Sequence, residues 1–164
     1  MENLERAGFG GGCHWCTEAV FQRLKGVEKV EQGFIASIGK ASSFSEAVIV
    51  HFDPGVISLD RLILIHLHTH SSSSLHRFRE KYRSAIYTFS EEQEKQAGKI
   101  LARHQKEFNH TLITRILPFR EFRPSGEEFR NYYLQDRHKP FCRTYIEPKL
   151  EILSADFSEN VKME

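Results

Sequence analysis

Three glycines, Gly10, Gly11 and Gly12, run straight into Cys13-His14-Trp15-Cys16, and this junction constrains the chain more than any other stretch. Glycines add no packing of their own, but they permit tight backbone turns and close approach by other groups. Beyond them the apolar positions Trp15, Ala19, Val20, Phe21 and Leu24 recur with helical spacing, which predicts a helix starting near the cysteine and stopped by Gly26. A cysteine in the first turn of a helix faces unpaired backbone amides and the positive end of the helix dipole, and both favour thiolate over thiol. The thiolate is the reactive form, and the glycines leave its sulfur accessible. The alternative is a buried, inert cysteine; Trp15 and a second cysteine at i+3 in the same turn weigh against it.

Further along, residues 27–36 and 47–52 are rich in strand formers and flank a Ser/Gly-rich loop over 37–45. Asp53-Pro54-Gly55 predicts a turn, and Ser58 predicts the cap of a helix over 59–69. Ser71 to Ser74 is a polar loop, and residues 83–89 predict another strand. Ser90-Glu91-Glu92-Gln93 resembles a capping box opening a polar helix to about residue 107, with a strand over 111–117 and helix over 127–134. Strands and helices interleave without the regular spacing of a nucleotide fold, which predicts an α+β domain. The expected organisation is one catalytic domain over residues 1–150 and a loosely structured C-terminal tail over 151–164.

Lys plus Arg is 23 and Asp plus Glu is 22, a balance that calls for neither nucleic acid nor an anionic membrane surface. The longest apolar run, near residues 62–67, is too short and too His-rich to span a bilayer, and the first residues lack the pattern of a signal peptide. A cytoplasmic protein acting on a small neutral or peptide-like substrate is expected. The three cysteines, Cys13, Cys16 and Cys142, include one Cys-x-x-Cys pair, which in a reducing compartment favours redox or metal chemistry over structural disulfides.

The run Gly12-Cys13-His14-Trp15-Cys16-Thr17-Glu18-Ala19, with Phe21, Leu24-Lys25-Gly26-Val27, Val30 and Gly33-Phe34, resembles the opening of the A-type peptide methionine sulfoxide reductases. The likeness continues through Glu46-Ala47-Val48-Ile49-Val50-His51-Phe52-Asp53-Pro54, Ile57-Ser58, His70 and Tyr82-Arg83-Ser84-Ala85-Ile86-Tyr87, and more weakly from Ile113 to Tyr133-Leu134. The resemblance implies a two-layer, ferredoxin-like sandwich with a mixed sheet. It implies that Cys13 attacks the sulfur of methionine sulfoxide, of the S epimer, in peptides or free, and is left as a sulfenic acid. Glu46 takes the place of the family's acid and Tyr82 that of a tyrosine holding the sulfoxide oxygen; His14 falls in the pocket for the substrate methyl, and Trp15 suits either that pocket or the core. A second thiol then resolves the sulfenic acid, either Cys142 on a mobile C-terminal segment or Cys16 in the Cys-x-x-Cys pair, and a thioredoxin-like reductant closes the cycle. No cofactor and no metal are implied.

Departures from the family pattern gather around the substrate. His14 stands where the family has Phe, a group that titrates near neutrality in place of one that cannot. The loop from Ile35 to Ser45 is shortened and carries no tyrosine, and Arg77 falls where the family has an aspartate. Three other readings stay open. His66 and His70, at i and i+4 near His68, suit a metal, although a second ligand pair is not evident. The chain also suits a binding module that kept the fold and lost turnover. Finally, Cys13 and Cys16 suit a disulfide oxidoreductase, for which the thioredoxin-like context is missing.

Overall fold

The computed structural model describes residues 3–70, 83–109 and 111–162. Its centre is β1 (Glu5–Gly10), a strand buried on both faces from Ala7 onward, whose Phe9 stacks on Phe21 with ring centroids 4.7 Å apart. Phe21 belongs to α1 (His14–Gln22), which packs on β2 (Val27–Ala36) and β3 (Ser45–Phe52). The expected stop at Gly26 holds, with a φ of 88° there that suits glycine. Ser58 caps α2 (Leu59–Thr69) by accepting from the Arg61 amide at 3.1 Å, and the helix buries Leu62, Ile63, Ile65 and Leu67.

After β4 (Ala85–Thr88), Ser90 caps α3 (Glu91–His104) by accepting from the Gln93 amide, while the Gln93 side chain reaches back to the Phe89 amide. The capping pattern read in the sequence therefore operates, one residue wider than its standard form. Helix α3 crosses over to β5 (Arg115–Pro118), which pairs in parallel with β4, and β6 (Glu121–Pro124) lies along the far edge of β2. The sheet order is β5-β4-β1-β3-β2-β6, with every pairing except β4–β5 antiparallel. Its inner four strands, with α1 and α2 between them in sequence, form the split βαβ arrangement of a ferredoxin-like fold. Helices cover one face and make the main core; a smaller apolar group around Ile35, Ile49, Tyr87 and Leu117 fills the other.

The C-terminal region is more ordered than its sequence pattern predicts. After α4 (Tyr132–Gln135), a wide helical turn over Cys142–Ile146 leads directly into α5 (Glu147–Asp156). Leu150, Leu153 and Phe157 recur at helical spacing and are buried, which is the physical reason the segment docks. Its end is then pinned beside α1: the Lys25 amide donates to the Asn160 carbonyl and the Lys162 amide to the Arg23 carbonyl, both at 2.7 Å. Among the described residues no helix is long and apolar enough to cross a membrane.

Candidate active site

Strand β1 ends at Gly10, and the chain turns at Gly11, whose φ is 156° and where any side chain would collide with the His70 ring. This turn delivers Cys13 to the N-terminal end of α1, where its carbonyl accepts from the amides of Cys16 and Thr17 at 3.1 and 3.3 Å. Cys13 is partly exposed, whereas Cys16 is buried beneath it. The Cys16 side chain and the nearby amides of Trp15 and Cys16 lower the Cys13 thiol below its ordinary pKa, against burial and the charge of Glu46. The Cys13 side chain, burial and the Cys13 charge push the Cys16 thiol upward, and that thiol donates to the Tyr145 carbonyl at 4.0 Å.

Glu46 enters from β3, opposite Phe34 of β2, and is buried. Its Oε1 accepts from the His14 backbone amide at 3.1 Å and lies 3.5 Å from His14 Nε2. The other ring nitrogen of His14, Nδ1, is 2.8 Å from the Gly33 carbonyl. A carbonyl can only accept, so Nδ1 carries a proton. Phe34 meets the His14 ring edge-on at 5.2 Å.

Trp15 belongs to an aromatic group. It stacks on Tyr132 at 4.1 Å with planes 4° apart and meets Phe141 edge-on at 5.2 Å, and its indole nitrogen is buried without a hydrogen-bond partner among the described residues. Burial, with the charges of Cys142 and Cys13, raises the Tyr132 pKa, so its phenol stays protonated at neutral pH beside the site. Cys142 opens the wide turn before α5, is fully buried, and has its thiol pushed up by burial. The mobile loop expected around it is helical from Pro140 onward.

Behind the cysteines a small cavity is lined by Gly12, Cys13, Cys16, His66, His70 and Lys149, among others. Lys149 Nζ donates to the Thr69 carbonyl, and burial lowers its pKa while the charges of Cys16 and Cys13 raise it. His66 Nε2 donates to the Gly10 carbonyl at 2.8 Å, and His70 bridges the His66 carbonyl to Ser84, whose hydroxyl is 2.8 Å from Nε2. These histidines tie α2 to β1 and β4, and among the described residues no group of three metal-binding side chains comes together.

Of the residues singled out in the sequence, Cys13, Cys16, His14, Trp15 and Glu46 come together at one end of α1, with Cys142 close enough for its charge to act on Cys16. Tyr82 and Arg77 lie outside the described residues. Sequence reasoning missed Lys149 and Tyr132. Tyr132 carried a signal, an aromatic beside the family-like Tyr133; Lys149 carried none, because its approach to the cysteines depends on how α5 docks on α1 and α2.

An activated thiolate beside a buried carboxyl and an aromatic wall suits nucleophilic attack coupled to proton delivery. The peptide methionine sulfoxide reductase family model matches residues 5–161. Peptide methionine sulfoxide reductase MsrA of Pasteurella multocida is 34% identical over 169 residues, covering 94% of this chain and 97% of that protein. Among solved structures, methionine sulfoxide reductase A of Corynebacterium diphtheriae is similar with a TM-score of 0.72 at 23% identity, over 83% of this chain and 76% of that one. Mxr1 from Saccharomyces cerevisiae, solved in complex with Trx2, is similar with a TM-score of 0.62 at 20% identity, over 78% of this chain and 85% of that one. The chain belongs to the peptide methionine sulfoxide reductase family.

Proposed function

We propose that this protein reduces methionine sulfoxide, of the S epimer, in peptides or free, with Cys13 as nucleophile and Glu46 as proton donor. The observation that carries the reading is the partly exposed Cys13 at the start of α1, its thiol pKa lowered chiefly by the Cys16 side chain, with Glu46 buried beside it. The thiolate adds to the sulfoxide sulfur while its oxygen gains a proton from Glu46. The S–O bond of the substrate then breaks as the oxygen passes to Cys13, giving the thioether and a Cys13 sulfenic acid. The substrate sulfur is reduced by two electrons and the Cys13 sulfur is oxidised by two. Trp15 and Tyr132 form the wall for the substrate's apolar end, and Tyr82 is assigned the sulfoxide oxygen by its place in the family motif.

Cys16 lies one helical turn from Cys13 and acts on its thiol, which supports it as the first resolving thiol, with Cys142 as the second candidate. Once Cys13 carries oxygen it is no longer an anion, and its charge no longer raises the Cys16 pKa. The Lys149 ammonium then favours the Cys16 thiolate. Attack forms the Cys13–Cys16 disulfide and releases water. A spacing of i and i+3 within one helical turn suits the Cα separation of a disulfide. Cys142, by contrast, is fully buried in a helical turn, with its thiol donating to the Asp136 carbonyl at 3.5 Å. A thioredoxin-like protein is the reductant in this reading, and a reducing cytoplasm is the compartment that sustains it.

The test is dithiothreitol-driven turnover of the two epimers of methionine sulfoxide, free and in peptides. The S epimer should be reduced by wild type, not by Cys13→Ser, and at least tenfold more slowly by Glu46→Gln, as the loss of a general acid implies. Equal rates for Glu46→Gln and wild type would assign the proton to another group.

A further inference from the structure

The aromatic wall of the site is braced by a buried carboxylate that the chemistry does not use. Glu18 lies one helical turn after Trp15 on α1 and is 1% exposed. Its Oε2 accepts from the Asn131 amide at 2.9 Å, and its Oε1 accepts from the Tyr132 amide at 3.2 Å and from the Gln32 side-chain amide at 2.8 Å. A buried carboxylate is costly unless such donors meet it, so the carboxylate and the amides at 131 and 132 hold one another in place. The same donors, with the Arg130 charge, work against the rise in pKa that burial imposes on Glu18. Gln32 Nε2 also donates to the Phe129 carbonyl at 2.9 Å, and one turn beyond Glu18 the Gln22 Nε2 donates to Asn131 Oδ1 at 2.7 Å. Asn131 itself has left-handed backbone, with a φ of 55°, which asparagine tolerates. The chain thus enters α4 held from α1 at both the amide and the side chain of Asn131, and the next residue is Tyr132, stacked on Trp15.

We propose that Glu18 is a positioning residue for sulfoxide binding: by accepting from the amides of Asn131 and Tyr132 it holds the Tyr132 ring on Trp15, so that the wall for the substrate's apolar end stands before substrate arrives. The inference rests on the sulfoxide reductase reading, in which Trp15 and Tyr132 form that wall. Helix α4 has four residues and is too short to stand on its own hydrogen bonds, so its placement comes from its contacts with α1. In Glu18→Gln one carboxylate oxygen becomes an NH2 group facing another N–H donor, and the brace is broken without a change of size. A wall assembled for only part of the time weakens apparent affinity by the fraction assembled and leaves the rate of the filled site unchanged.

The experiment follows single-turnover methionine formation by reduced enzyme over a range of methionine S-sulfoxide concentrations, together with the fluorescence of Trp15, the only tryptophan in the chain. Wild type is compared with Glu18→Gln, Tyr132→Ala and the double variant. Gln32→Met, which removes one donor and leaves the carboxylate, carries the comparison if Glu18→Gln does not fold. Glu18→Gln should need about tenfold more sulfoxide for its half-maximal rate, with a saturating rate within about twofold of wild type. Its Trp15 emission should move to longer wavelength as the unstacked indole meets water. In the Tyr132→Ala background the same substitution should raise the half-saturating concentration no further, because Glu18 acts through that ring. Unchanged half-saturation and emission in whichever brace variant folds, or an equal rise in the Tyr132→Ala background, would overturn the positioning role alone. Absence of methionine from wild type at every concentration would overturn the reductase reading and this inference with it.

Discussion

At Cys13, three neighbours lower the thiol pKa: the Cys16 side chain and the amides of Trp15 and Cys16. All act on the thiolate and none on the thiol, so the shift is a statement about reactivity at a given pH. Alkylation of Cys13 by iodoacetamide should show a pH midpoint below the ordinary thiol value of about 8.5. Cys16 and Cys142, both pushed upward, should stay unmodified over the same range. Cys16→Ala removes the leading cause, and its alkylation midpoint should move up; an unchanged midpoint would mean that the helix amides alone suffice. The pairing of Cys13 with a second thiol at i+3 was readable from the Cys-x-x-Cys spacing, because one helical turn brings those positions to one side. The contact between His14 and Glu46 was not readable, since it joins residues 32 positions apart through the register of β2 on β3.

At the scale of elements, the capped helices α2 and α3 were legible from local chemistry, Ser58 and Ser90 each supplying a side-chain acceptor to the first turn. Strand β1 was not, because Gly8 and Gly10 give it no apolar alternation; a Cβ on Gly8 would come within 2.8 Å of Tyr87 Cβ, so the glycine is required by packing that no local pattern reveals. Helix α5 was missed for a related reason. Its burial depends on α1 and α2 being already in place, and only Leu150 and Leu153 within it turn inward deeply. Phe157 closes this contact at 3% exposure, with its ring 5.7 Å from His68 of α2. Phe157→Ala should therefore lower the unfolding free energy by about 3 kcal/mol, the order found for a buried aromatic truncated to alanine. Urea unfolding with an unchanged midpoint would show that α5 contributes nothing to the stability of the domain.

For the molecule as a whole, α5 and the turn before it are what turn a ferredoxin-like sandwich into a closed thiol site. They bring Lys149 and Cys142 to the α1 cysteines, Lys149 lining the cavity behind Cys13 and Cys16 and both acting by charge on Cys16. The resolving step separates the two candidate thiols. With thioredoxin as reductant, Cys16→Ser should stall after one turnover while Cys142→Ser continues, and with dithiothreitol both should turn over. The reverse pattern would transfer the resolving role to Cys142. The central claim, that oxygen passes from substrate to Cys13, is tested most directly in the variant carrying both Cys16→Ser and Cys142→Ser. Mixed with excess methionine S-sulfoxide and no reductant, it should release one methionine per chain and gain the mass of one oxygen atom on the peptide containing Cys13. Methionine released with no oxygen on Cys13, or oxygen found on another residue, would contradict the account.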